Sequence, residues 1–112
     1  MEAFAPPVIA NTREDNITVI YVDAVRVRSG EEPRGQRKHG VSLKQATEIF
    51  DQVHIVDRKS DDPEQFRGVG WCEGRLRSVI FEIRFDSDGE YYHLVTAWKS
   101  TEQEQQSYAE NA

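Results

Sequence analysis

Cysteine is nearly absent: Cys72 is the single one in 112 residues, so the chain holds neither a disulfide framework nor a cysteine-based zinc site. Apolar runs last only a few residues, too short for a membrane-spanning helix. Bases are in deficit, 14 Lys+Arg against 20 Asp+Glu for a net charge of −6, whereas a protein that grips a polyanion through bulk charge shows the opposite balance. The opening stretch carries Glu2 in place of a basic flank and is broken by Pro6 and Pro7, unlike a signal peptide. No phosphate loop, dinucleotide fingerprint, nucleophile elbow or paired metal-binding histidines occur. His39, His54 and His93 stand far apart. Asp86 and Asp88 look like a fragment of a calcium loop, but the positions that follow lack its ligand pattern. These absences leave a small cytoplasmic protein with no metal or cofactor implied. Its length suffices for one hydrophobic core.

What is present has a clear order. Residues 1–15 show no sustained period and contain two prolines, and read as a flexible arm before a single domain over residues 16–112. Residues 17–28 (ITVIYVDAVRVR) are rich in β-branched residues and end in alternation, as one strand would. Ser42 and Gln45 have capping-box spacing at the start of a helix whose apolar face is Leu43, Ala46, Ile49, Phe50 and Val53. A short strand follows at His54–Val56, then a charged loop over residues 58–64. Three strands come next, joined by turns at Glu73–Gly74 and Asp86–Gly89. Thr101 and Glu104 have capping-box spacing again at a last helix. The expectation is an α+β domain: a small antiparallel sheet, a meander of three or four strands, with helices packed on one face. Charge runs from mildly basic to acidic along it. Five of the first six bases fall between Arg26 and Lys38, and none follows Lys99.

Two groups of residues suggest chemistry. Arg37, Lys38 and His39 precede a helix N-terminus, where backbone N–H groups already favour an anion. Arg84 lies on one strand, with His93 and Lys99 on the next. If the strands are neighbours, one face could present Arg84 with His93 or Lys99, a cationic cluster suited to a phosphodiester transition state. A solvated face on a charged protein would show the same pattern.

The segment Lys38-His39-Gly40-Val41-Ser42, followed by a helix with Ala46 and Phe50, resembles the BrnT family of ribonuclease toxins. The run from Thr96 through Ala97, Trp98, Lys99, Ser100 and Thr101 to Glu104 and Tyr108 is similar to that family's closing pattern. Gly70, the hairpin from Glu73 to Leu76, and Arg84 fall at matching places between, and Tyr21 to Asp23 is similar to the family's opening. The resemblance covers about residues 37–110. It implies a RelE-like arrangement, a BrnA-like antitoxin as partner, and metal-independent cleavage of RNA by its own 2′-hydroxyl. Lys38, His39, Arg84 and Lys99 would then be catalytic, and Arg37 and Trp98 would meet RNA or a partner. Homo-oligomers, through the antitoxin or without it, are compatible with this.

The departures from the pattern are specific. Trp98 replaces an arginine of the closing motif, Gln65 an arginine before the middle strand's aromatic, and Ile83 an acid before Arg84. Glu82 is one residue away from that acid's place and so belongs to the other face. The last helix lacks the family's bases. Two readings stay open: a translation-inhibiting endoribonuclease neutralised by an antitoxin, or a catalytically degenerate relative that binds a protein through Trp98 and the acidic tail.

Overall fold

A computed structural model describes residues 9–12, 17–21, 26–29 and 42–112. Its strands are β1 (Ile9–Thr12), β2 (Thr18–Ile20), β3 (Arg26–Ser29), β4 (His54–Asp61), β5 (Glu64–Cys72), β6 (Arg75–Asp86) and β7 (Gly89–Lys99). Helix α1 (Leu43–Ala46) runs into a 3₁₀ turn at Thr47–Asp51, and α2 (Glu102–Asn111) closes the chain. Among the described residues the strands form one seven-stranded sheet in the order β1-β2-β4-β5-β6-β7-β3. No helix among the described residues is long and apolar enough to cross a membrane.

This corrects the expected small antiparallel meander with helices on one face. The sheet is larger, and it is mixed, because β3 lies parallel to β7 at one edge. The stretch read as one strand supplies two, β2 and β3, on opposite sides of the sheet. Strand β4 continues to Asp61, through residues read as a loop, and turns tightly at Asp62–Pro63, a cis peptide. Within the stretch read as an arm, Ile9–Thr12 pairs antiparallel with β2.

The helices pack on opposite faces. On β6, Val79, Phe81 and Ile83 face α1, and their partners Ala97, Leu94 and Tyr92 on β7 do the same. Leu43, Ala46, Ile49 and Phe50 fill that side. The Phe50 ring meets Phe81 at 5.2 Å, Tyr92 at 5.6 Å and His54 at 5.1 Å, all edge-on. His54 and Tyr92 come from strands three places apart, so the sheet curls around Phe50. A Cβ on Gly70 would stand 2.8 Å from Ile49 Cγ2, so only glycine lets the 3₁₀ turn seat this closely. The opposite face carries Val19, Ile55 and Val69, with Leu76 and Tyr108 packed against them.

Local signals decide where the elements begin and turn. Ser42 Oγ accepts from Gln45 N at 3.0 Å while Gln45 Oε1 accepts from Ser42 N at 3.1 Å. Thr101 and Glu104 make the same reciprocal pair at α2. The β5–β6 turn uses positive φ at Glu73 (53°) and Gly74 (78°), which matches the twist of a two-residue hairpin.

One irregularity sets what each face presents. Ile80 pairs with Thr96 and Phe81 with Leu94, so Val95 is an extra residue in β7. Such a bulge reverses the alternation beyond it. Leu94 and Ala97 therefore share the α1 face, and His93 and Trp98 share the α2 face.

Candidate active site on the open sheet face

Helix α2 covers only part of its face. It is held through the Glu104 carboxylate, which accepts from Ser78 Oγ at 2.8 Å, Trp98 Nε1 at 3.0 Å and Thr101 N at 2.8 Å. Arg67 donates to it at 3.2 Å and makes two further bonds to Asp57, at 3.0 and 2.6 Å. Burial pushes the Glu104 carboxyl up, but the bonds from Thr101, Ser78 and Trp98 and the charge of Arg67 outweigh it and hold it below the usual range.

Beyond Ile80 no helix among the described residues covers the same face, and there the polar residues of β3, β5, β6 and β7 converge. Glu82 lies directly across from His93, Arg84 across from Tyr91, and Arg28 beside His93 in the parallel register. Directly opposed residues hold their Cβ atoms about 5 Å apart. Glu82 Oε2 accepts from Gln65 Nε2 at 2.8 Å, and its Oε1 accepts from Arg84 at 2.7 Å. Those two bonds, first Gln65 and then Arg84, hold the Glu82 carboxyl below its ordinary value, and His93 adds to the effect. Arg84 is 48% exposed and Glu82 18%. The pair is thus anchored on the carboxylate side and open on the cation side.

A second cluster pins the edge strand beside it. Asp86 accepts from Arg26 at 2.7 Å and from Arg28 at 2.7 Å, and both guanidinium groups stack over Tyr91. These contacts, the Arg26 bond first, pull the Asp86 carboxyl down to about 2. On the open patch Arg26, Arg28, Arg84 and His93 stand against Glu82 and Asp86. The net charge of the chain therefore does not describe this surface.

No family model, no curated protein and no solved structure matches this chain.

Of the residues singled out in the sequence, Arg84 and His93 do share a face on neighbouring strands. Lys99 does not join them. It pairs with Arg77, seven residues along β6 from Arg84 and on the opposite face, roughly 23 Å away at strand rise. Simple alternation from His93 would place Lys99 on the same side, and the Val95 bulge reverses it. Arg37, Lys38 and His39 lie outside the described residues. Trp98 is half-buried beside α2, with its N–H on Glu104.

Glu82 was discounted in the sequence for facing away from position 83, yet it is on the face of Arg84. The two-residue spacing of Glu82 and Arg84 on a strand is the signal that joins them. Gln65, noted as a departure, turns out to hold Glu82. Nothing local foretells Arg28, because its place depends on an edge strand pairing far along the chain.

Proposed function

We propose that this chain is a metal-independent endoribonuclease whose site is the open face around Glu82, Arg84 and His93. The observation that carries the reading is the direct cross-strand pairing of Glu82 with His93, with Arg84 bonded to Glu82 and Arg28 alongside. An ionised carboxylate and an imidazole flanking exposed guanidinium groups are what transesterification of RNA needs.

In this reading the Glu82 carboxylate takes the proton of a ribose 2′-hydroxyl, and the 2′-oxygen attacks the adjacent phosphorus. Arg84 and Arg28 face the charge that builds on the phosphorane oxygens. Protonated His93 gives its proton to the departing 5′-oxygen as the P–O bond breaks. The products are a 2′,3′-cyclic phosphate and a 5′-hydroxyl, so atoms and charge balance without a co-reactant. Tyr91, already stacked under the arginines, borders the site where an unstacked base would lie.

The motif order that resembles BrnT toxins supports an RNA substrate, and with it a cytoplasmic toxin silenced by an antitoxin. The alternative, a protein-binding module anchored on Trp98, has less support, because the indole N–H is engaged by Glu104 and the ring lies beside α2.

The test is cleavage of a single-stranded RNA by the purified chain in the presence of a chelator. Glu82→Gln and His93→Ala are each expected to lower the rate about a hundredfold or more. Cleavage that persists in both variants would move the site elsewhere, and no cleavage by the parent chain would overturn the activity.

A further inference from the structure

The α1 face of the sheet ends in a group of cations without a counter-charge. Arg77 lies directly across from Gly70 on β5 and from Lys99 on β7, and Arg75 lies across from Cys72. Gly70 seats Ile49, and Cys72 Sγ donates to Gln45 O at 3.2 Å, so all three cations belong to the α1 side. Opposed residues hold their Cβ atoms about 5 Å apart, and two steps along a strand cover about 7 Å. One cavity around the end of β6 borders all three. Trp71 and Leu76, which border it too, lie on the opposite face with Tyr108.

Like charges placed directly opposite one another destabilise a sheet, and here Arg77 opposes Lys99 with Arg75 beside them. Arg26, Arg28, Arg58, Arg67 and Arg84 all sit on carboxylates, whereas Arg75, Arg77 and Lys99 pair with none among the described residues. Two acids stand near Cys72. Burial first, then the charges of Glu48 and Glu73, push its thiol up, and Arg77 acts against them. Both acids are engaged elsewhere: Glu73 accepts from Gln45 at 2.6 Å, and Glu48 accepts from Glu73 N and Gln52, each at 3.2 Å. Arg77 is half-buried, and its Nε and Nη1 are buried with no hydrogen-bond partner. A guanidinium partly stripped of water, with no acceptor and a second cation opposite, is a costly arrangement that a bound anion relieves.

We infer that Arg75, Arg77 and Lys99 bind a phosphate group on the α1 face, with Arg75 and Lys99 closing on it from their exposed positions. Arginine offers a planar fork of donors and lysine a point charge, a combination that holds a doubly charged tetrahedral oxyanion. The site lies on the other face of β6 from Glu82 and does not rest on the proposed cleavage. The phosphate is either free or the terminal group of a small organic phosphate.

The experiment is titration of the full ¹⁵N-labelled chain with inorganic phosphate at constant ionic strength. The arginine Nε–H signals are followed, with Arg77→Lys identifying that of Arg77. Expected is a saturable shift at Arg77 with a Kd of about 1 mM, which chloride does not reproduce. Lys99→Ala and Arg75→Ala, both at exposed positions, should each weaken binding about tenfold, while Lys59→Ala on β4 should not. Ribose 5-phosphate binding more tightly than inorganic phosphate would assign an organic phosphate as the source, and equal or weaker binding would assign free phosphate. A shift confined to Arg28 and Arg84 would place the anion on the Glu82 face instead. That result, no saturable shift at Arg77 up to about 50 mM, or a shift indifferent to Lys99 and Arg75, would overturn the inference.

Discussion

Phe50 and Glu104 are both buried, both sit on short helical segments, and each anchors its segment to one face of the same sheet. Their chemistry is opposite. Phe50 is held by contact with three rings, a non-directional attraction that closes its face with apolar side chains. Glu104 is held by four donors at fixed directions, so it needs Ser78, Trp98, Thr101 and Arg67 where they are. Around Phe50 the α1 face is consequently closed by apolar side chains. The α2 face has a smaller apolar cluster, Val19, Ile55 and Val69 with Tyr108, beside Glu104, and its other end carries Glu82, Arg84 and His93. A helix docked in large part through directional bonds at one end of a face leaves the other end able to carry a chemical surface.

The contrast can be broken at its root by deleting Val95. Without the bulge residue, one half of β7 must turn its apolar side chains to solvent, either Leu94 and Tyr92 or Ala97. Loss of cooperative unfolding by circular dichroism is expected, the largest effect of any change considered. Next, Phe50→Ala should cost about 3–5 kcal/mol in urea unfolding, through lost burial and the cavity left behind. Glu104→Ala should cost less, about 2–3 kcal/mol, because it strands the donors of Arg67, Trp98 and Ser78 while the apolar face stays intact. Its hydrogen exchange should rise first in α2.

The smallest effect is on acid stability. Asp86 is lowered from 3.8 to about 2, so its contribution is complete above the ordinary aspartate value and is lost as pH falls towards about 2. Glu104 is also lowered, and acts in the same direction. Asp86→Asn should flatten the fall in urea midpoint between neutral and acid pH, and a variant whose curve matches the parent would show that the Arg26–Asp86 contact contributes nothing.

Local chemistry was legible in the sequence, and long-range pairing was not. Ser42 with Gln45 and Thr101 with Glu104 cap helices as their spacing indicates, and the Glu73–Gly74 and Asp86–Gly89 turns close hairpins, because each depends on residues within three or four positions. The parallel docking of Arg26–Ser29 on β7 depends on partners some sixty residues away, and a run of Val and Arg alternation looks the same at either edge. The Val95 bulge was the costlier omission. A single extra residue left every strand in place but moved Lys99 off the face of Arg84 and His93. It thereby left Glu82, rather than Lys99, as the partner of Arg84 and His93.

The most direct measurement compares two RNA strands that differ only by a 2′-deoxy sugar at the cleaved position, each incubated with the parent chain and a chelator. Cutting of the all-ribose strand alone, leaving a 2′,3′-cyclic phosphate, is the expected result for attack by the 2′-oxygen at the Glu82–His93 pair. Equal cutting of both strands, or cutting of neither, would contradict it.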